Sequence, residues 1–378
     1  MPIPYGKQAL DDDDIAAVVA TLRGDWLTQG PAVAEFERAV ADACEVPYAV
    51  AFSSGTAALH GAAFAAGVGP GDEVVTSAMT FAASANCAAY LGATPRLADI
   101  ERETWNVSAR TLEPVLTPQT KAVIPVHFTG LPAPMAEIRE LLQDDMVLIE
   151  DAAHALGART PDGPVGSCAH SDMAVFSFHP VKAITSAEGG MVATRDPELR
   201  DRLVLFRSHG ITKDPHLLRE RQGGWHQEQQ ALGFNYRLTD VHSALGRSQM
   251  RKLERFVSAR NEVASRYREA LTGLDAIELP PAAPSGYRHA YHLFVVRHRD
   301  GADARRALYD GLVERDIRPQ VHYIPVYLHP YYRDRLCEFP SCPEAERYYD
   351  GCLSLPCFPT LTEDDQQRVI DALWELCG

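Results

Sequence analysis

The sequence predicts an α/β protein, with a large domain on a mixed, mostly parallel sheet and a smaller C-terminal α+β domain. From about residue 30 to 195, apolar strand-like runs alternate with helix-like segments, which is typical of βαβ units. The runs 171–178 and 190–194 are too close together for a helix between them, so the second is predicted to return antiparallel. A proline-rich stretch, 280–284, leads into a last segment of short strands and helices. We place the two domains at residues 1–250 and 251–378.

The elements follow from apolar periodicity and turn residues. The predicted strands of the large domain are 48–52, 73–76, 95–98, 122–126, 146–149, 171–178 and 190–194. Its predicted helices begin after 53–56 and lie near 82–91, 135–142 and 196–207, with one long helix from 239 to 271 capped by Thr239 or Asp240. Residues 208–238 show little apolar periodicity, so we predict a long segment outside the regular elements that is functional or contacts a partner. The last segment has predicted strands at 291–297 and 318–322 and helices at 302–315 and 362–376.

The composition argues against several classes of function. The chain of 378 residues is 46% hydrophobic and contains no apolar run that approaches the roughly 20 residues of a membrane span. Its N-terminus lacks the features of a signal peptide, and its net charge of −15 disfavours nucleic-acid binding. The eight cysteines include Cys337-x4-Cys342 and Cys352-x4-Cys357, whose spacing is looser than that of usual zinc sites and favours reduced thiols. We therefore expect a cytoplasmic enzyme without a metal.

Lys182 is the most informative residue. It follows the apolar run 173–178 and precedes Glu188-Gly189-Gly190, whereas Lys7, Lys121, Lys213 and Lys252 lie among polar neighbours and are predicted at the surface. A lysine beside a buried strand end loses its proton readily, because desolvation lowers its pKa. A neutral amine is what a Schiff-base lysine requires. The alternative is a lysine that snorkels from a strand end.

Asp151 and His154 follow the strand near 146–149, at the edge where open α/β sheets bind ligands. An ionised Asp151 would hold a protonated ring nitrogen, and His154 would donate a hydrogen bond to a ring oxygen. The alternative is that Asp151 caps a helix.

Residues 53–59 form a predicted strand–turn–helix junction, where Gly55, Thr56 and the free amides of a helix start favour a phosphate. Ser177, at the end of the strand before Lys182, would add a donor. The alternatives are a plain helix cap and an ordinary strand serine. The glycines of 67–71 follow a helix and precede a strand, the reverse of the dinucleotide-binding order. A phosphate site, an aspartate for a pyridinium and a lysine for an aldehyde together indicate pyridoxal 5′-phosphate, PLP.

Four motifs carry a family resemblance over nearly the whole chain: residues 54–59 (SGTAAL), 150–157 (EDAAHALG), 176–182 with 188–190 (FSFHPVK and EGG), and 233–240 (GFNYRLTD). With these motifs the chain resembles the DegT/DnrJ/StrS family of PLP-dependent sugar aminotransferases. The resemblance implies the aspartate aminotransferase-type fold, the PLP fold type I, and a homodimer with shared active sites.

The resemblance also implies roles for individual residues. Lys182 would bind the cofactor covalently, and Asp151 would pair with the pyridine nitrogen. The other implied cofactor contacts are Gly55, Thr56 and Ser177 at the phosphate, Phe81 on the ring face, His154 near the ring hydroxyl, and Asn235 at the phosphate of the neighbouring subunit's cofactor.

Position 183 is Ala where many members have Asn, and position 154 is His where many have Gln. The His-Ala-Leu-Gly form, the stretch 206–210 and the segment 321–325 are most similar to the branch that aminates C4 of UDP-2-acetamido-2,6-dideoxy-β-L-arabino-hex-4-ulose, a step toward pseudaminic acid. L-Glutamate is the implied amino donor, and Arg237 would bind its carboxylate or form an interface ion pair. The implied substrate contacts are Tyr5, Asp25, Trp26, Leu27, Thr28, His322, Tyr323 and Ile324.

Other interpretations stay open at this point. Another nucleotide keto-sugar of the perosamine, bacillosamine or C3-amino type would use the same chemistry. A sugar dehydratase of the same fold typically has His at the lysine position, so Lys182 argues against it. A non-catalytic regulatory protein would keep the fold without turnover. The misplaced glycines count against a nicotinamide oxidoreductase.

Overall fold

A computed structural model describes residues 2–336 and 339–378, so Cys337 of the cysteine pattern lies outside the described residues. The strands are β1 Ile3–Pro4, β2 Tyr48–Phe52, β3 Glu73–Ser77, β4 Thr94–Ala98, β5 Thr120–Ile124, β6 Val147–Asp151, β7 Arg159–Thr160, β8 Gly163–Pro164, β9 Met173–Ser177, β10 Gly190–Thr194, β11 Ile211–Thr212, β12 Glu228–Gln229, β13 Ile277–Glu278, β14 Phe294–His298, β15 Ile317–Arg318 and β16 Cys352–Leu355. The α-helices are α1 Asp12–Leu22, α2 Pro31–Cys44, α3 Gly55–Ala65, α4 Ala83–Tyr90, α5 Ala109–Leu112, α6 Met135–Leu141, α7 Pro197–Arg207, α8 Asp240–Met250, α9 Leu253–Ala270, α10 Ala302–Glu314, α11 Pro330–Arg333, α12 Pro343–Gly351 and α13 Glu363–Cys377.

The central sheet has seven strands in the order β2-β10-β9-β6-β5-β3-β4. Its neighbours from β9 to β4 pair in parallel, and β10 runs antiparallel to both β9 and β2. The predicted mixed sheet and its returning strand are therefore confirmed. The antiparallel return leaves residues 178–189 as a loop at the carboxyl end of β9, and this loop carries Lys182.

Both faces of the sheet are covered, as parallel sheets require. On one face, α3 and α7 pack on alternate residues of β2, β9 and β10, with Phe52 and Phe206 fully buried. On the other face, α2 and α9 cover the remaining alternate residues, and Phe36 of α2 belongs to the same buried cluster as Phe176 of β9. The core thus fixes which strand ends and which helix starts meet at one edge of the sheet.

The C-terminal part contains a three-stranded antiparallel sheet, β13-β14-β16, with α10 and α13 packed against it. The other side of β14 and β16 packs on residues of the large sheet's carboxyl edge, among them Met79 and Phe128. Strand β1 pairs in parallel with β15, so the N-terminal segment joins this C-terminal part. The division at residue 250 remains a prediction. In the part of the chain that the structure describes, no helix is both long and apolar enough to span a bilayer.

Three sequence predictions were wrong in detail. The long helix predicted from 239 to 271 is two helices, α8 and α9, which break at Arg251 and Lys252. Lys252, predicted at the surface, is buried and forms ion pairs with Asp11 and Asp14, which tie the start of α1 to this break. The strand predicted at 318–322 is only β15, because the chain leaves it to bridge at Gln320 to Ser354 of β16.

Candidate active site

The candidate site lies where the carboxyl ends of β6 and β9 meet the amino end of β10. Asp151 ends β6, Ser177 ends β9, and Gly190 begins β10 directly opposite Ser177. Strand β2 ends beside them, and α3 starts three residues later. Parallel strands end at one edge of a sheet, which is why residues far apart in sequence converge here.

Lys182 lies on a loop whose two ends are joined by backbone hydrogen bonds. The amide of Phe178 donates to the carbonyl of Gly189 (2.9 Å), the amide of Ser186 donates to the carbonyl of Phe178 (3.0 Å), and the Lys182 amide donates to the carbonyl of His179 (2.9 Å). Burial lowers the pKa of the Lys182 amine to about 8, although the Asp151 carboxylate opposes this shift. Roughly a tenth of the amine is therefore neutral at pH 7, against less than ~0.1% for an ordinary lysine. This is the behaviour predicted for a Schiff-base lysine.

Asp151 is an oriented buried carboxylate with 4% of its surface exposed. Its Oδ2 accepts a hydrogen bond from Ser84 Oγ (2.6 Å), and its Oδ1 accepts one from the Ala153 amide (3.1 Å). Residues 153–157 form turns, so the alternative in which Asp151 caps a helix is wrong. A buried, fixed carboxylate is suited to hold a cationic ring nitrogen.

His154 belongs to a group of neutral imidazoles. It is 5% exposed, its Nε2 lies 3.2 Å from the Tyr323 hydroxyl, and its buried Nδ1 has no hydrogen-bond partner among the described residues. Burial and the nearby Lys182 charge hold the pKa of His154 well below its usual value. His322, whose pKa is lowered to about 3 by burial, contacts the Ser354 hydroxyl through Nδ1 (2.8 Å). These rings therefore act as neutral donors and acceptors near pH 7.

The start of α3 and the end of β9 touch. A Cβ atom built on Gly55 would lie 2.8 Å from Ser177 Cβ, so position 55 accepts no side chain without displacing Ser177. Ser54 caps α3 by accepting from the Ala57 amide (3.1 Å), which confirms the cap interpretation for that serine. The cap leaves the amides of Gly55 and Thr56 in the first turn, where no intrahelical carbonyl is available to them. An anion fits at this point.

Aromatic side chains line the approach to this edge. Phe81 is 59% exposed, and its ring centre lies 5.9 Å from that of Tyr323. Tyr5 packs on His322 with ring centres 4.9 Å apart. The predicted substrate residues Tyr5, His322 and Tyr323 thus form one cluster beside His154, and Ile324 is exposed next to it.

The other predicted site residues lie elsewhere in the chain. The segment 25–28 is exposed and is held by a bridge between Thr28 and Thr239 and by the Asp240 amide, which donates to Leu27 O (3.0 Å). Asn235 is exposed and bridges to Ser208. Arg237 is half-buried. Its two predicted roles, binding of the donor carboxylate and an interface ion pair, involve a ligand or a second subunit, so both stay predictions.

The sequence interpretation missed three residues that touch this site. Ser84 of α4 donates to Asp151, the His292 ring packs on that of His154 with centres 4.4 Å apart and planes tilted by 45°, and Arg260 of α9 contacts the lysine loop. His292 is 5% exposed, and its Nδ1 has no partner in residues 2–336 and 339–378. No local pattern marks these residues, since each acts across a long stretch of sequence.

Comparisons with known proteins match nearly the whole chain. The model of the DegT/DnrJ/EryC1/StrS aminotransferase family matches residues 8–374. The spore coat polysaccharide biosynthesis protein SpsC of Bacillus subtilis (strain 168) is 36% identical over 382 residues, which cover 99% of this chain and 97% of SpsC.

Two solved structures superpose along the full length. Helicobacter pylori PseC, an aminotransferase involved in the biosynthesis of pseudoaminic acid, matches with a TM-score of 0.92 and 29% identity, covering 100% of this chain and 99% of PseC. The PLP-form of Spr1654 from Streptococcus pneumoniae, a candidate sugar aminotransferase, matches with a TM-score of 0.92 and 27% identity over 100% of this chain and 99% of its own. These matches confirm the aspartate aminotransferase-type fold. The chain belongs to the DegT/DnrJ/EryC1/StrS aminotransferase family.

Proposed function

We propose that this chain is a PLP-dependent aminotransferase that moves an amino group from L-glutamate to C4 of a UDP-linked 4-keto-6-deoxy-N-acetylhexosamine. The reaction belongs to biosynthesis of the pseudaminic acid type. The observation that carries the proposal is the convergence of Lys182, with its lowered pKa, and the buried Asp151 carboxylate on one edge of the sheet. The expected cytoplasmic location and the expected absence of a metal stay predictions.

The residues of the site fit PLP. Gly55, Thr56 and Ser177 offer an anion site, since the amides of Gly55 and Thr56 lie in the first turn of α3 and Gly55 lies against Ser177. His154 has a buried Nδ1 without a partner in the described residues, which suits a ring substituent able to hydrogen-bond. Asp151 would hold the ring nitrogen, and the exposed Phe81 would cover a ring face. When bound, PLP supplies an electron-accepting ring.

The chain's own residues then have separate tasks. Lys182 Nζ, neutral in a useful fraction of molecules near pH 7, can form and release a covalent bond and can carry a proton between the two carbon atoms that flank the transferred nitrogen. The Asp151 carboxylate is held in one orientation because Ser84 and the Ala153 amide donate to it. His154 and His322 stay neutral, so they can orient hydroxyl groups without competing for the proton on Lys182.

The acceptor assignment rests on the cluster beside His154. Tyr5, His322 and Tyr323 offer a ring edge, an imidazole and a hydroxyl, which suit a sugar with several hydroxyl groups. The similarity to PseC supports a substrate of the pseudaminic acid type. Arg237 is proposed to bind the glutamate carboxylate or an acidic group of a second subunit.

A panel of keto-sugar nucleotides tests the acceptor. With L-glutamate as donor, the β-L-arabino 4-keto UDP-sugar should give a C4 amine and one equivalent of 2-oxoglutarate. Its D-xylo epimer, a GDP-linked 4-keto-6-deoxyhexose and a 3-keto nucleotide sugar should react at least tenfold less efficiently, because each presents its ring substituents or its base in a different arrangement and leaves polar groups of the site unpaired. Product mass and NMR identify the aminated carbon.

The outcomes of this panel separate the candidates. A preference for another sugar nucleotide would change the assigned acceptor but would leave the assignment as an aminotransferase in place. A non-catalytic protein would release no 2-oxoglutarate with any acceptor, and a dehydratase would give a deoxygenated product instead of an amine.

We also propose a homodimer with shared active sites. Asp240 accepts hydrogen bonds from the amides of Gly30 (2.7 Å) and Ala32 (2.9 Å), so the segment 25–30 and the motif 233–240 form one surface. This surface exposes Trp26, Leu27 and Phe234, and a group of exposed large apolar side chains is typical of a protein–protein interaction site. A second copy that covers it would bring Asn235 to the phosphate site of its partner.

A mixed dimer distinguishes sharing from a site within one chain. Lys182→Ala and Asn235→Ala should each lose most activity alone. When the two variants are co-expressed with different tags and the mixed dimer is isolated, activity should return to about half of wild type, because one site combines Lys182 of one chain with Asn235 of the other. A mixed dimer as inactive as its parents would place both residues in the same site of the same chain.

A further inference from the structure

Arg260 is a buried cation in the middle of α9. Only 1% of its surface is exposed, although a buried guanidinium is costly unless its donors are satisfied. In a protein of net charge −15, acidic partners are plentiful. Among residues 2–336 and 339–378 the hydrogen-bond acceptors of Arg260 are backbone carbonyls rather than carboxylates, and burial lowers the pKa of its guanidinium.

The guanidinium joins two parts of the molecule. Its Nη2 donates to the carbonyls of Val181 (3.2 Å) and Lys182 (3.3 Å) in the lysine loop. Its Nη1 donates to carbonyls of the C-terminal part, at Cys357 (2.5 Å), His292 (3.3 Å) and Tyr291 (3.4 Å). Arg260 Nε is buried and has no partner in the described part of the chain. The arginine thus fixes the backbone of the lysine while it keeps its positive charge.

That charge acts on Lys182. Burial is the main reason for the lowered pKa of Lys182, and Arg260 lowers it further, whereas Asp151 raises it. The remaining titratable groups that face the amine, His154, His292 and His322, are held neutral mainly by burial. Among the described residues, Arg260 is therefore the cation that opposes protonation of the amine.

We propose that Arg260 is a positioning residue for Lys182, which clamps the lysine loop to the C-terminal part and uses its buried charge to keep the amine neutral and nucleophilic. Residues 181–182 on one side and 291–292 and 357 on the other are its anchors. This role of Arg260 rests on the proposed function in one respect, which is that Lys182 is the reacting amine.

The test titrates Lys182 in the full-length chain, freed of any bound aldehyde by dialysis against hydroxylamine. Trace labelling with acetic anhydride across pH 6–11, read by peptide mass spectrometry, gives the labelling midpoint of Lys182, with the exposed Lys213 as internal reference. Wild type should have a midpoint near 8. Arg260→Met and Arg260→Gln should move it upward by about one pH unit, because a nearby positive charge is lost. Arg260→Lys should leave it close to wild type.

Arg266→Met is the matched control, since Arg266 lies on the same helix but binds Gln366 (2.7 Å) and Glu363 (3.2 Å). Its Lys182 midpoint should equal that of wild type. Equal upward shifts in Arg260→Lys and Arg260→Gln would show that only loop geometry matters and would overturn the charge role, as would unchanged midpoints in both neutral variants. If Arg260→Met does not fold, Arg260→Gln, which keeps two donors, decides the same question. The labelling midpoint of Lys182 is measured without turnover, so this test remains valid even if the aminotransferase assignment is wrong.

Discussion

Lys182→Ala should abolish turnover and the absorbance of the lysine-bound cofactor, while the circular dichroism spectrum and the thermal unfolding midpoint stay near wild type. The loss should exceed about 10³-fold, because the variant has neither the nucleophile nor the proton carrier. The fold should persist, since the loop is held by its backbone hydrogen bonds at Phe178, Ser186 and Gly189 rather than by the amine. Glutamate-dependent release of 2-oxoglutarate measures turnover.

Lys121→Ala is the control for this change. Lys121 is partly buried at the amino-terminal end of β5, the opposite edge of the sheet from the site. Its replacement should leave the turnover and the absorbance unchanged. Transamination retained in Lys182→Ala would remove Lys182 from the mechanism.

Asp151→Asn should bind PLP and yet slow the reaction by several orders of magnitude. The fold should tolerate the amide, since the Ser84 hydroxyl can accept as well as donate a hydrogen bond. The amide carries no negative charge, so the ring nitrogen is no longer held in its protonated form and charge developing in the transition state is stabilised less. Single-turnover mixing with L-glutamate, followed by absorbance, measures the chemical step separately from cofactor affinity.

Ser84→Ala should slow the same chemical step to a smaller extent. It removes one donor to Asp151 but keeps the carboxylate, so the chemical step should slow by only about ten- to a hundredfold, as expected for a lost hydrogen bond to a charged group. Near-normal single-turnover rates in Asp151→Asn would contradict the electrostatic role of Asp151.

Much of the fold was predictable because its signals are local. The strand β6 is an apolar run that ends in Asp151, and β9 is one that ends in Ser177, so simple alternation locates both side chains at a strand end. The short spacing between β9 and β10 predicts the loop that carries Lys182. The start of α3 shows its Ser54 cap directly in the sequence.

The rest depends on contacts between distant parts of the chain. Nothing near Ser84 or Arg260 in sequence indicates that one meets Asp151 and the other the lysine loop. The break between α8 and α9 contains neither proline nor glycine, and Lys252 at this break pairs with Asp11 and Asp14 more than 200 residues away. Asn235 and the segment 25–28 are exposed, and their proposed contacts with a second copy leave no local signal in the sequence.

Reductive trapping tests the central claim most directly. The protein with PLP is treated with borohydride, digested and mapped by mass spectrometry. The account predicts one phosphopyridoxyl group per chain on the peptide that contains Lys182, and its loss when L-glutamate is added first. A group on any other lysine, or a Lys182 peptide that stays unmodified while the cofactor is bound, would contradict it.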